Sequence, residues 1–70
     1  FMDEKELDTR FSYHAPKFDQ PAKYESIRTW AKSYAAMLVD QCPESRELSL
    51  ALTKLEEAVM WANAAIARRE

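Results

Sequence analysis

The residues with the most chemical content lie close together in sequence. Phe11, Tyr13, His14 and Lys17 crowd one short segment, and Arg28 and Lys32 follow it one helical turn apart. Aromatic rings stack on nucleobases and cations pair with phosphates, so rings interleaved with basic groups suit a nucleotide-like ligand. A plainer reading stands beside this one. Phe11 and Tyr13 would anchor their segment to neighbouring helices, and the cations would remain solvated. His14 on its own fits a hydrogen-bonded structural residue as well as a ligand contact.

Catalysis asks for more than these residues offer. A nucleophile, a base and an orienting group must converge, yet the single histidine, His14, sits just ahead of Pro16, and the single cysteine, Cys42, directly precedes Pro43. Glu56 and Glu57 are adjacent, so they diverge on a helix, and Glu44 and Glu47 fall at a helix start; all four read as solvated surface. One cysteine and one histidine also leave a zinc site short of ligands. The expectation is a protein that is not an enzyme and needs no metal or cofactor.

The net charge of −2 is unevenly spread. Residues 1–8 sum to −3, residues 9–32 to +3, and the remainder to −2. A local basic block on an acidic chain favours a small anionic ligand over long DNA or RNA, which the rest would repel. The C-terminal half also lacks the run of Arg and Lys that would follow a groove. Apolar stretches are broken by charge well short of the roughly 20 residues that span a bilayer. The first eight residues are acidic, unlike a signal peptide. A soluble, cytoplasmic protein is expected, with Phe1 ahead of Met2 as a remnant outside the natural start.

With 70 residues the chain makes one small domain whose own core is marginal. Disulfides, a structural metal or oligomerisation usually supply the deficit. One cysteine rules out an internal disulfide, so self-assembly is expected, and the lone thiol suits a reducing compartment.

Glycine is absent, which disfavours tight hairpin turns and phosphate-cradling loops. The fold class expected is all-α: an antiparallel helical hairpin (residues 20–70) with an N-terminal arm (residues 1–19), assembling as a homo-oligomer. The arm has no helical apolar period, and Pro16 pushes its predecessor toward extended geometry, so at most a short turn over residues 3–7 is expected there. Asp19 offers a side-chain cap, Pro21 fits a first turn, and a helix begins near Gln20. Its stripe is Ile27, Ala31, Tyr34, Ala35, Leu38 and Cys42, and Pro43 ends it. A second helix starts between Pro43 and Ser45. Its seam, Leu48, Leu52, Leu55, Val59, Ala62 and Ile66, is spaced 4, 3, 4, 3, 4 as in a heptad repeat. Met37, Val39, Leu50, Met60 and Trp61 fall off these stripes and would form a partner surface, unless Met60 and Trp61 pack under the arm. The alanines at 58, 62, 64, 65 and 67 leave the last turns slim enough for another helix to approach.

Three segments together resemble a known family: Arg10-Phe-Ser-Tyr-His-Ala-Pro-Lys17, Tyr24-Glu-Ser-Ile-Arg28, and the run TKLEEAVMWANAAIAR over residues 53–68. The chain is similar in these to the phage anti-CBASS sponges, whose hairpin domain is shared with the Thoeris anti-defence sponges. The resemblance implies a non-catalytic protein in the cytoplasm of the infected bacterial host. It would bind cyclic oligonucleotide immune signals, such as cyclic GMP-AMP, and keep them from their effector. It implies a homohexamer, with cyclic dinucleotides held where two protomers meet and, in some members, cyclic trinucleotides where three meet. On the matching motifs, Tyr13 would stack on a base, Arg28 would take the phosphate-binding position, and His14 and Lys17 would be second contacts. Arg69, or else Arg68, would match a cation of the trinucleotide pocket. The alternative is a structural helical oligomerisation module with no nucleotide ligand.

Overall fold

The computed structural model describes residues 3–70; Phe1 and Met2, and with them the reading of Phe1 as a remnant, lie outside the described residues. Three helices follow one another: α1 (Glu4–Phe11), α2 (Gln20–Gln41) and α3 (Arg46–Arg69). The described chain is all-helical.

The helix α1 corrects the expectation that the arm holds no more than a turn. It forms from local polar capping, not from an apolar stripe. Asp3 is the N-cap, and its carboxylate accepts from the Glu6 amide at 2.8 Å. Glu4 and Glu6 lie in the first turn and Arg10 in the last, each sign favoured by the helix dipole. Arg10 also reaches back one turn to Glu6 at 2.7 Å. Ser12 is extended and ends the helix. The His14 ring then folds back, with Nε2 donating to the Thr9 carbonyl at 2.6 Å and satisfying an acceptor the helix end leaves open.

The two long helices begin and end where the sequence places them, within a residue or two. Pro21 sits in the first turn of α2. Asp19 does not cap that helix with its side chain, as was expected; its backbone is already in the helical region, and its carboxylate instead pairs with Lys23 at 3.4 Å. The Cys42 backbone turns extended ahead of Pro43 and closes α2, while its amide still donates to Leu38 at 2.9 Å. Ser45 starts α3 by accepting from the Leu48 amide at 3.1 Å.

The short connection folds α3 back on α2. The pairing is antiparallel, since the Gln20 side chain at the start of α2 donates to the Ile66 carbonyl near the end of α3, and Lys23 reaches Glu70. Along the seam, Ile27, Ala31, Ala35, Leu38 and Cys42 face Leu48, Leu52, Leu55, Val59, Ala62 and Ile66, all half-buried. Tyr34 departs from its expected place in the stripe and is 51% exposed.

A two-helix seam cannot close a core. Among the described residues no hydrophobic side chain is buried, and the fully buried one is Gln20. The chain exposes 5975 Å², against roughly 4,500 Å² for a compact monomer of this mass, and its radius of gyration is 15.5 Å where about 11 Å is usual for this length. Among the described residues no helix is long and apolar enough to cross a membrane.

Candidate functional site

Gln20 is the joint on which the site depends. Its Oε1 accepts from the Lys17 amide at 3.0 Å and its Nε2 donates to the Ile66 carbonyl at 3.1 Å, so one amide fixes the end of the arm to both long helices. The Lys17 ammonium extends this lock by donating to the Glu70 carbonyl, and Lys23 pairs with the Glu70 carboxylate at 2.7 Å. Both cations thus sit at the C-terminal end of α3, where the helix dipole favours positive charge. The hydrogen bond that Lys23 donates to Glu70 holds its ammonium above the usual lysine range.

Between the His14–Thr9 and Lys17–Gln20 anchors, the extended backbone holds Tyr13 out in solvent, 86% exposed, with Phe11 at 82%. Neither ring anchors the arm to the helices, so the plainer reading of these two residues is set aside. Met60 and Trp61 are 62% and 61% exposed and are not covered by the arm.

Arg28 lies two turns into α2, beside a groove of about 490 Å³. Lys32 lines the groove on the same helix, with Thr53, Glu56 and Met60 on α3 opposite and Ala31 and Leu55 as its floor. Two cations above an apolar floor can hold an anion carrying flat rings. Tyr13 does not line this groove.

Arg68 and Arg69 line a second groove, of about 330 Å³, near the end of α3. Arg10 from α1 joins them, and Trp61, Ala64 and Ala65 complete its walls. Arg69 makes a bidentate bond to Glu6, at 2.9 and 2.7 Å, while Arg10 holds the same carboxylate. Hydrogen bonds from Arg69 first and Arg10 second depress the Glu6 carboxyl from 4.5 to about 2. Arg69 is held above its ordinary range by that partner.

Two residues of these surfaces escape a reading of the sequence alone. Glu6 looks like one acid among four in the first eight residues, and only the fold brings it across 63 positions to Arg69. Trp30 falls off the apolar stripe, yet with Tyr34, Ile27, Ala58 and Ala62 it lines an apolar groove of about 400 Å³ along the seam. Trp30 and Tyr34, one helical turn apart and each followed by an alanine, were the available signal.

An all-helical hairpin that lacks a closed core and displays rings and cations on its surface defines a class of ligand- or partner-binding module. The chain matches the family model described as Acb2/Tad1, hairpin domain, over residues 2–67, and it belongs to that family, the anti-CBASS and anti-Thoeris sponges. The family implies a role as a sponge for cyclic oligonucleotides, which it binds and does not cleave. No curated protein and no solved structure matches the chain.

Proposed function

We propose that this chain sequesters cyclic di- and trinucleotide immune signals, such as cyclic GMP-AMP, in the cytoplasm of an infected bacterial host and so blocks CBASS effector activation without cleaving the signal. The family match over nearly the whole chain carries this reading. Tyr13 supports it physically: an 86% exposed ring, held by anchors on both sides, is a stacking surface in search of a base.

In this reading Tyr13 stacks on a base and Arg28 takes a phosphate. A cyclic dinucleotide is close to two-fold symmetric, so two protomers related by a two-fold axis each supply half of its site. That fits Tyr13 standing outside the groove that Arg28 lines. His14 and Lys17 act as second contacts and fix the arm that carries Tyr13; with Nε2 committed to Thr9, His14 meets the ligand through Nδ1. Arg68 and Arg69 serve a separate trinucleotide pocket. The apolar faces left uncovered by the hairpin join copies of the chain into a homohexamer.

The test is calorimetry with a panel of cyclic di- and trinucleotides, followed by heat denaturation and recovery of the ligand. Binding with recovery of intact ligand is expected. No binding across the panel at micromolar protein contradicts the reading, and recovery of cleaved ligand identifies an enzyme. The same lack of binding, with assembly retained, would favour a structural oligomerisation module, to which the absence of a buried apolar core among the described residues also lends itself.

A further inference from the structure

The groove at the end of α3 has a composition that attracts anions: three guanidinium groups, an indole face and two alanines that give a ligand room. Two of its three cations, Arg10 and Arg69, are already engaged by Glu6. Glu6 Oε1 and Oε2 take both terminal nitrogens of Arg69, and Oε2 also accepts from Arg10 Nε. A phosphodiester presents two non-bridging oxygens and one negative charge, so it fits the same guanidinium fork as a carboxylate. One edge of Arg69 cannot serve both.

We propose that Glu6 is an internal competitor for this groove. A nucleotide phosphate enters only by displacing the Glu6 carboxylate from Arg69, and the arm thereby filters out anions that offer a single phosphate. This rests on the reading of Arg69 as a ligand-binding cation. An exposed ion pair is weak enough to be exchanged, and a ligand with several linked phosphates can recruit Arg10 and Arg68 as it displaces Glu6, whereas a mononucleotide replaces one anion with another for little gain. The competition is constant above about pH 4.5, and below it protonation of the freed Glu6 carboxyl eases its displacement while a phosphodiester stays ionised.

The device is local. The Tyr13 segment is tied to the hairpin through Lys17 and Gln20, which bond to each other, to Ile66 and to Glu70 and not to Glu6, so losing the clamp leaves that tie in place.

Calorimetry on the full chain with cyclic tri-AMP, AMP and cyclic di-GMP as probes tests this. Glu6→Gln keeps the shape of the side chain and removes its charge. It is expected to tighten cyclic tri-AMP about threefold to fivefold, the upper scale of an exposed ion pair, to make AMP binding measurable, and to leave cyclic di-GMP within about twofold. Glu4→Gln removes the same charge from another side of α1 and is expected to change nothing. In an Arg69→Ala background the gain from Glu6→Gln disappears. Equal affinity of wild type and Glu6→Gln for cyclic tri-AMP overturns the proposal, as does an equal gain from Glu4→Gln. If cyclic di-GMP binds but neither wild type nor Glu6→Gln takes cyclic tri-AMP, the competitor falls while the sponge reading stands. If none of the probes binds any variant, both fall.

Discussion

In the proposed function Tyr13 supplies stacking and Arg28 charge, and the two are positioned by different means. Tyr13 rides on an extended segment pinned at both ends, whereas Arg28 is part of a continuous helix. On that proposal, substituting either removes a ligand contact and no contact that holds the hairpin together. Tyr13→Ala and Arg28→Ala are each expected to abolish cyclic dinucleotide binding by calorimetry, and Tyr13→Phe, which keeps the stacking face, to retain most of it. Light scattering on the same samples should show the assembly unchanged. Glu6 gives a second expectation at this scale. Its folded pKa is depressed, so its contribution to docking α1 is complete above about pH 4.5 and is lost as pH falls toward about 2. Amide exchange in α1 should therefore stay flat from neutral pH to about 5 and, once corrected for intrinsic rates, rise below 4.5.

The helices differ in how far their sequence announces them. The seams of α2 and α3 are legible because burial imposes a period: Leu48 through Ile66 repeat at four and three residues, and all are half-buried along the hairpin. Tyr34 shares that period yet stays exposed, since two helices cover only one face of each other. The helix α1 has no such period. It depends on the Asp3 cap and the Glu6–Arg10 pair, which resemble ordinary surface charge when read along the chain. Of the candidate site, Tyr13 and Arg28 could be singled out by residue type, but the Glu6–Arg69 clamp could not, because nothing local marks a contact between residues 63 apart. Gln20 shows the same limit. It reads as a helix start and turns out to be the buried joint between arm, α2 and α3. Gln20→Ala leaves the Lys17 amide and the Ile66 carbonyl without that partner, and is expected to destabilise the fold by about 1 to 3 kcal/mol in a denaturant titration at fixed protein concentration.

At the scale of the molecule, the chain has more apolar surface than it can cover. Trp30 is 74% exposed, and with Tyr34, Ala58 and Ala62 it borders an open apolar groove. Light scattering at micromolar concentration is expected to give a mass several times the 8.2 kDa of one chain, and Trp30→Glu to shift it toward the monomer while lowering the melting temperature. A wild-type monomer with a cooperative melt would contradict this. Under the proposed function assembly and binding are one property, because a partner copy would complete the ligand site as it covers the hairpin.

Sequestration, the central claim, is tested most directly by competition with an effector. A CBASS effector activated by a cyclic dinucleotide is assayed after the signal has been incubated with excess protein, and again after that mixture has been heated to denature the protein. The account predicts a silent effector before heating and full activation after it, because the signal is withheld intact. An effector that stays active in excess protein, or one that remains silent after heating because the signal has been destroyed, would contradict it.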